Sequence, residues 1–482
     1  MKKGYVYLVG AGPGDIRLLT VKGEQCLESA DVVLYDRLVN PLLLEKTKPG
    51  AELVYCGKLP DRHLLRQEAI NDLLVKYALE GKQVVRLKGG DPSVYGRVGE
   101  EAAELDKFNI DYEIVPGITA SIGASTYAGV PVTHRDHGAS FAIVSGHDKS
   151  PEGQPLIDWE GLAKGIDTIA FYMGVKNLPY ICEQLLKNGR KKETPVLLVQ
   201  WGTLGKQKTL KGTLETIAQL VKEQKFSNPA ITIVGEVAKL RQTQSWFERQ
   251  PLFGKHVLFA RTSEGKSEIA EELTRLGADV FEYPRFQTKN LDKSQLDLTK
   301  YDQIIFHSPK SVEWFFNQLK QDRIDIRTIK SNFFGASKKS IQTIESFACN
   351  GLSLKQLREG SKLVIGPLKW GELVDKRNSL YGQHDFVASH KEELVVQSNF
   401  TCQRILDEDR VDTIVFPSAE SVKAVTEQIK ACNETPETLS QRATIICFGP
   451  ATQEVALSYG YEIHAILEEP SQQSLIEELL KL

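Results

Sequence analysis

The chain has 482 residues, more than a single hydrophobic core sustains, so two or more folding units are expected. Its 41% hydrophobic content is ordinary for a globular protein, and a formal net charge of -3 offers no basic excess for nucleic acid. The apolar run at 5–9 is too short for a signal-peptide core or a membrane span, and the seven scattered cysteines show no zinc-site spacing. We expect a cytoplasmic protein without metal.

In chain order, a strand at 5–9 leads directly into Gly10-Ala11-Gly12-Pro13-Gly14-Asp15, followed by an amphipathic stretch at 20–30. Glycines there permit positive φ and close backbone approach, so a cofactor loop is expected. The loop departs from the dinucleotide fingerprint, because Asp15 stands where the third glycine belongs and Pro13 stiffens the turn. A second strand at 32–35 ends on Asp36, which by itself also suits the ribose-binding carboxylate of an NAD enzyme.

A third strand at 84–87 argues against NAD, since it runs into Gly89-Gly90-Asp91-Pro92, and Val115-Pro116-Gly117-Ile118-Thr119-Ala120 forms another such turn. Three glycine turns at the carboxyl ends of successive strands would line one crevice, more than a pyrophosphate needs. Further apolar runs at 231–234, 257–260, 304–306 and 414–416 continue the alternation, predicting an α/β fold with largely parallel sheets. A boundary is expected at 245–252, giving units at 1–245 and 252–482. Asp302, Ile304, Phe306, Ser308, Ser311 and Val312 recur as Asp412, Ile414, Phe416, Ser418, Ser421 and Val422, which predicts a duplicated strand-turn-helix and two similar lobes in the second half.

GAGPGD at 10–15, YDRL from Tyr35, RLKGGDPSVYGR from Arg86 to Arg97, PGITA from Pro116, PVTHRD from Pro131 and FYMG from Phe171 occur in order within 3–245. In this the chain resembles the tetrapyrrole methylases, most closely the uroporphyrinogen-III C-methyltransferases. The resemblance implies a two-lobed α/β methylase fold with S-adenosylmethionine (SAM), and its product S-adenosylhomocysteine, in the cleft between lobes. It places the cofactor against Pro13, Gly89, Gly90, Asp91, Val94, Thr119, Ala120, Met173, Gly202 and Ala230. It also implies Asp36 as general base and Lys58 as proton donor. A cleft that excludes water makes a carboxylate a stronger base. The alternatives are an ion pair of Asp36 with adjacent Arg37, and a solvated surface position for Lys58.

Arg37, Arg62, His63, Arg66, Arg97, His134 and Arg135 lie on or beside these loops in a near-neutral chain, and arginine forks suit a polycarboxylated substrate. The implied reaction methylates uroporphyrinogen III at two ring positions, through precorrin-1 to precorrin-2, on the way to sirohaem or a corrin. The family also implies a homodimer formed through this half.

From Pro251-Leu252-Phe253-Gly254-Lys255 onward, with the Phe306-His307-Ser308-Pro309-Lys310-Ser311 and Phe448-Gly449-Pro450-Ala451-Thr452 turns and the segment 470–479, the chain resembles the uroporphyrinogen-III synthases. This implies a bilobal α/β fold that cyclises hydroxymethylbilane to uroporphyrinogen III. Lobe one would be 252–287 plus 398–482 and lobe two 288–397, with Ser308, Gly335, Ser418 and Thr452 at the cleft. Three departures stand out: Val396 replaces the usual tyrosine, the 366–371 segment lacks the usual arginine, and Gly335-Ala336-Ser337 is a loose version of its motif. An inert scaffold is therefore the alternative for this half.

Overall fold

The computed structural model describes residues 3–57, 67–147, 153–292, 297–408 and 410–482; Lys58, Arg62, His63 and Arg66 lie outside the described residues. A first sheet is built from β1 (Tyr5–Gly10), β2 (Val32–Tyr35), β3 (Glu52–Tyr55), β4 (Gln83–Lys88) and β5 (Tyr112–Val115), all parallel, in the order β3-β2-β4-β1-β5. Its strands are apolar on both faces, as a sheet covered by helices on both sides requires. Val6, Leu8, Val32, Leu34 and Val84 pack on one face and Val9, Val33, Tyr35, Val85 and Leu87 on the other. The sequence reading overlooks β3, which is short and only half-buried, so Gln83–Lys88 is the fourth strand and not the third. Helix α1 (Val98–Lys107) joins β4 to β5, and α2 (Ala120–Tyr127) follows β5.

The second sheet comprises β6 (Phe141–Ser145), β7 (Thr168–Tyr172), β8 (Pro195–Gln200), β9 (Lys208–Thr213) and β10 (Ala230–Val234) in the order β6-β7-β10-β8-β9. Only β6 and β7 are parallel; the other three pairings are antiparallel, which corrects the expectation of largely parallel sheets for this part. The link from Gln200 to Lys208 is too short for a parallel crossover, which takes a dozen residues or more. Ala124 and Ala128 pack with Ala170, Leu197, Val199 and Ile231, in one core of this sheet.

The chain forms two compact units, one of residues 1–260, 267–283 and 397–482, the other of 261–266 and 284–396. The expected boundary at 245–252 falls inside the first unit, where Tyr127 meets Trp246 and Phe247, and Phe247 meets Phe253, in an aromatic ladder that continues across it. A third sheet of the first unit starts with β11 (His256–Ala260) and β12 (Asp279–Tyr283).

The second unit carries β13 (Phe286–Asn290), β14 (Gln303–Phe306), helix α3 (Pro309–Gln321), β15 (Asn332–Gly335), helix α4 (Lys338–Ser346), β16 (Gly351–Ser353), β17 (Lys362–Pro367) and β18 (Asp385–Leu394). Its sheet runs β13-β18-β17-β14-β15-β16, antiparallel only between β13 and β18.

The chain then re-enters the first unit with helix α5 (Ser398–Asp407), β19 (Thr413–Phe416), helix α6 (Ala419–Ala431), β20 (Thr444–Cys447), helix α7 (Pro450–Ser458) and β21 (Ala465–Ile466). The completed parallel sheet is β12-β11-β19-β20-β21. The repeat read in the sequence is β14–α3 against β19–α6. Ser308 and Ser418 each cap their helix by accepting the N–H three residues on, from Ser311 and Ser421. Each leading aspartate ties its strand to a neighbour: Asp302 accepts the Ser361 N–H and Asp412 the His256 N–H, both at 3.0 Å. Among the described residues no helix is long and apolar enough to cross a membrane.

Candidate functional site

The three glycine turns of the first half follow β4, β1 and β5, which are neighbours in the sheet, so their carboxyl ends meet. Gly12 and Gly90 exchange backbone hydrogen bonds of 3.1 and 2.7 Å, and Asp91 accepts the Gly117 N–H at 2.9 Å and the Ser93 N–H at 2.7 Å. The side chain of Asp91 thereby ties the second turn to the third. A Cβ added at Gly117 would lie 2.4 Å from the Gly90 carbonyl oxygen and 2.8 Å from the Gly10 Cα. These glycines are required for backbone to pack on backbone. Gly90 differs, since its φ of 72° favours glycine while a Cβ there would sit at ordinary contact distance, 3.9 Å, from Ala120 N and Thr119 Cα.

The second sheet supplies the rest of the pocket. β6, β7 and β8 share one direction, so their carboxyl ends, with the start of β10, form one edge that carries Met173, Gly202 and Ala230. This edge is sewn to the first sheet. The Tyr172 hydroxyl lies 2.6 Å from the Thr119 hydroxyl and accepts the Ser121 N–H at 2.6 Å. Asp15 donates its N–H to the Thr203 hydroxyl at 3.0 Å, a Cβ at Gly123 would strike the Pro13 ring at 2.6 Å, and one at Gly202 would strike Ala124. Pro13, Gly89, Gly90, Asp91, Val94, Thr119, Ala120, Met173, Gly202 and Ala230 are thus on loops that converge. Tyr95, Arg97, Met173, Trp201 and Thr203, on these turns, all hold φ between 50° and 72°, a strain of order 1–3 kcal/mol each.

Asp36 sits at the end of β2, beside the β4 turn, and its side chain is 32% exposed. Its partner is not adjacent Arg37, which is exposed, but Arg86 of β4, whose Nη2 donates to Asp36 Oδ1 at 2.6 Å. Arg86 is 3% exposed and also donates from Nε to Glu101 of α1 at 3.1 Å; Lys88 donates to the same Glu101 oxygen at 2.6 Å. Burial works against the charge of Arg86, but Asp36 and Glu101 outweigh it and hold its pKa above the ordinary value. For Lys88, burial first and then neighbouring Arg86 push the pKa down. The two acids and two bases form a charge-balanced quartet, buried at Arg86, Lys88 and Glu101 and reaching solvent at Asp36. Sequence reasoning gave no role to Arg86, Lys88, Glu101 or Tyr172; the signal for the first two was a pair of cations spaced i, i+2 on one face of an otherwise apolar strand.

Of the expected carboxylate-binding residues, Arg37 belongs to the turn after β2, and Arg97 caps the start of α1 with its guanidinium on Glu100 at 2.8 and 2.5 Å. His134 and Arg135 lie elsewhere. Their hairpin, closed by the His134 to Gly138 bonds, meets Asp167 and Thr168 at the amino end of β7. At about 3.3 Å per residue that is a whole strand away from Met173. Among the described residues no cluster of His, Cys, Asp and Glu could hold a metal ion.

In the second half, Ser418 and Thr452 stand at the amino ends of α6 and α7, after neighbouring strands β19 and β20 of the first unit. Ser308 and Ser337 cap α3 and α4 after neighbouring strands β14 and β15 of the second unit, with Gly335 ending β15. Val396, at the position of the missing tyrosine, is 74% exposed.

Within the second unit His307 stacks on Trp370 at 3.6 Å and bonds the Tyr381 hydroxyl through Nδ1 at 3.1 Å. Burial, helped by Lys369, Lys376 and His390, lowers the His307 pKa to about 4. An unfolded histidine titrates near 6.5, so the unfolded chain binds a proton that the folded unit refuses between those values. Stability is whole above pH 6.5 and falls as pH drops toward 4. We expect calorimetry to show a melting temperature that declines below about pH 6, with a shallower decline in His307→Gln; equal slopes would refute this origin.

Comparison with known proteins gives two family matches. Residues 5–218 match the model of the Tetrapyrrole (Corrin/Porphyrin) Methylases, and residues 249–336 and 392–477 that of Uroporphyrinogen-III synthase HemD. The chain is 44% identical over 456 residues to a Uroporphyrinogen-III C-methyltransferase of Bacillus subtilis (strain 168), covering 93% of this chain and 92% of that protein. It is 32% identical over 505 residues to the Porphyrin biosynthesis protein HemD of Ruminiclostridium josui, covering 100% and 99%. Among solved structures it is similar to Uroporphyrin-III C-methyl transferase from Thermus thermophilus complexed with S-adenyl homocysteine, at 41% identity and a TM-score of 0.43, covering 49% of this chain and 100% of that one.

Proposed function

Because the chain belongs to the uroporphyrinogen-III C-methyltransferase family, with a uroporphyrinogen-III synthase-type region joined to it, we propose that it carries out two consecutive steps. Its second half closes hydroxymethylbilane to uroporphyrinogen III, and its first half methylates that product at two positions, through precorrin-1 to precorrin-2. The observation that carries the reading is the convergence of the Pro13, Gly90–Asp91 and Thr119 loops with Met173 and Gly202, beside Asp36.

SAM is the methyl donor of the family and brings a reactive methyl when bound. The remaining work is positioning and one proton. The residues fit such a cofactor, since glycines 89 and 90 present bare backbone at the turn after β4 and exposed Met173 stands at the facing edge. Asp36 takes the pyrrolic proton, with Arg86 fixing which of its oxygens faces outward. Lys58, Arg62 and His63 retain their proposed roles as proton donor and carboxylate ligands, together with Arg37 and Arg97. The hairpin of His134 and Arg135 meets the amino end of β7, the opposite end of that strand from Met173, and we assign the carboxylates first to Arg37 and Arg97. In the second half, Ser308 and Ser337 cap neighbouring helices of one unit, and Ser418 caps a helix of the other; each helix start favours a carboxylate of the bilane.

The test supplies hydroxymethylbilane and methyl-labelled SAM to the full chain and reads isomer and label together. We expect the type III isomer, carrying label. Only the type I isomer would leave the second half as a scaffold, and an unlabelled tetrapyrrole would refute the methylation. A second expectation concerns Gly117→Ala, whose methyl overlaps the Gly90 carbonyl. Overpacking costs 1–3 kcal/mol, so S-adenosylhomocysteine affinity measured by calorimetry should fall by about tenfold or more. Unchanged affinity would separate this turn from the cofactor.

A further inference from the structure

The turn that carries Asp36 is held by a residue from the far end of the chain. The Asp36 carbonyl accepts the Val39 N–H at 3.2 Å, closing a turn over Arg37 and Leu38. Arg404 of α5 donates from Nη2 to the carbonyl oxygens of Arg37 and, at 3.0 Å, of Val39. Its guanidinium lies 5.9 and 5.8 Å from the ring centres of Tyr35 and Tyr55, and its Nε donates to Glu408 at 2.8 Å, which fixes the fork. Arg404 is 9% exposed. Beyond the turn, Leu38 packs on Gly89, where an added Cβ would lie 2.9 Å away, and Asn40 donates to the Gly14 carbonyl at 2.9 Å. The turn is therefore seated on two of the glycine loops on one side and gripped by Arg404 on the other.

The neighbouring contacts point the same way. Phe400 meets the Tyr35 ring edge-on at 6.2 Å, Gln397 donates to the Ala51 carbonyl at 3.2 Å, and the Tyr283 hydroxyl donates to Glu45. All of these lie within the first compact unit. A guanidinium whose Nη2 donates to two carbonyls of one four-residue turn while Nε is held by Glu408 fixes backbone conformation more tightly than a point cation would, and a displacement of about 1 Å at a catalytic group can cost about a hundredfold in rate.

We propose that Arg404 is a positioning residue for methyl transfer, so that the synthase-type half, through α5, sets the placement of Asp36. The inference rests on the reading of Asp36 as the base. Its consequence is that methylation depends on a residue that makes no contact with substrate or cofactor.

The experiment compares the full chain with Arg404→Ala, Arg404→Lys and Asp36→Asn, measuring kcat and KM for uroporphyrinogen III, S-adenosylhomocysteine affinity and melting temperature. We expect Arg404→Ala to lower kcat at least tenfold with S-adenosylhomocysteine affinity within twofold of the parent, and Arg404→Lys to recover part of the loss. A purely structural role would lower the melting temperature and leave kcat at 25 °C unchanged; that result, or parallel loss of cofactor affinity and kcat, overturns the proposal. Should Arg404→Ala fail to fold, the same criteria apply to Arg404→Lys, for which the expected loss is threefold or more. A dead Asp36→Asn with fully active Arg404 variants refutes the positioning role alone. An active Asp36→Asn refutes the base and leaves the turn's placement to be judged by the Arg404 variants.

Discussion

Asp36→Asn is expected to reduce kcat for methyl transfer by roughly 10²–10⁴-fold, the usual contribution of a positioned general base, while cofactor affinity stays within error. Asparagine is nearly isosteric and its Oδ1 still accepts the hydrogen bond that Arg86 donates at 2.6 Å. The turn to Val39 is made by backbone groups and is unaffected. What the substitution removes is the capacity to take a proton. Labelled-methyl transfer under single-turnover conditions is the measurement, because it isolates chemistry from product release. A variant that keeps a third or more of the parent rate would show that another group accepts the proton.

Arg86→Leu should cost about 3–5 kcal/mol of stability, the range for removing one partner of a buried ion pair. Glu101 is fully buried, and among the described residues only its Oε1 has donors, from Arg86, Lys88 and Gln67. Losing the arginine leaves Lys88 and Glu101 as a pair and releases Asp36 to solvent on its exposed side. Leucine fills the space of the stem but satisfies neither carboxylate. Both unfolding by denaturant and methyl transfer should respond. A loss of stability under about 1 kcal/mol would mean that the quartet is not coupled, and Arg86→Leu with full methylation would detach Arg86 from the base.

Strands β1, β2 and β4 of the first sheet were readable because both faces are apolar and each ends in a glycine turn or at Asp36. The turns were read as ligand loops, and in part they are something else. Gly10 and Gly117 are glycine because three turns stack backbone on backbone. The antiparallel second sheet was legible in principle from the short link between Gln200 and Lys208, yet that link contains Gly202, whose cofactor reading hid its role in strand reversal.

His134 and Arg135 follow the motifs closely in sequence, but the chain enters β6 from the opposite edge, and no local pattern reports that direction. Arg86 and Lys88 were read only as part of a strand and a motif; α1 lays Glu101 over them, a contact set by packing. Arg404 had no signal in the sequence at all. It lies on an ordinary amphipathic helix, and its target consists of backbone carbonyls, which leave no trace in side-chain identity.

The order of strands β12-β11-β19 has a bearing on how the protein is made. β11 and β12 leave the ribosome well before β19, because the whole of β13 to β18 is translated in between. Until then one side of β11 is an open edge of unpaired N–H and C=O groups, which invites pairing with other nascent chains. A chain that ends in that interval would keep this edge of β11 open.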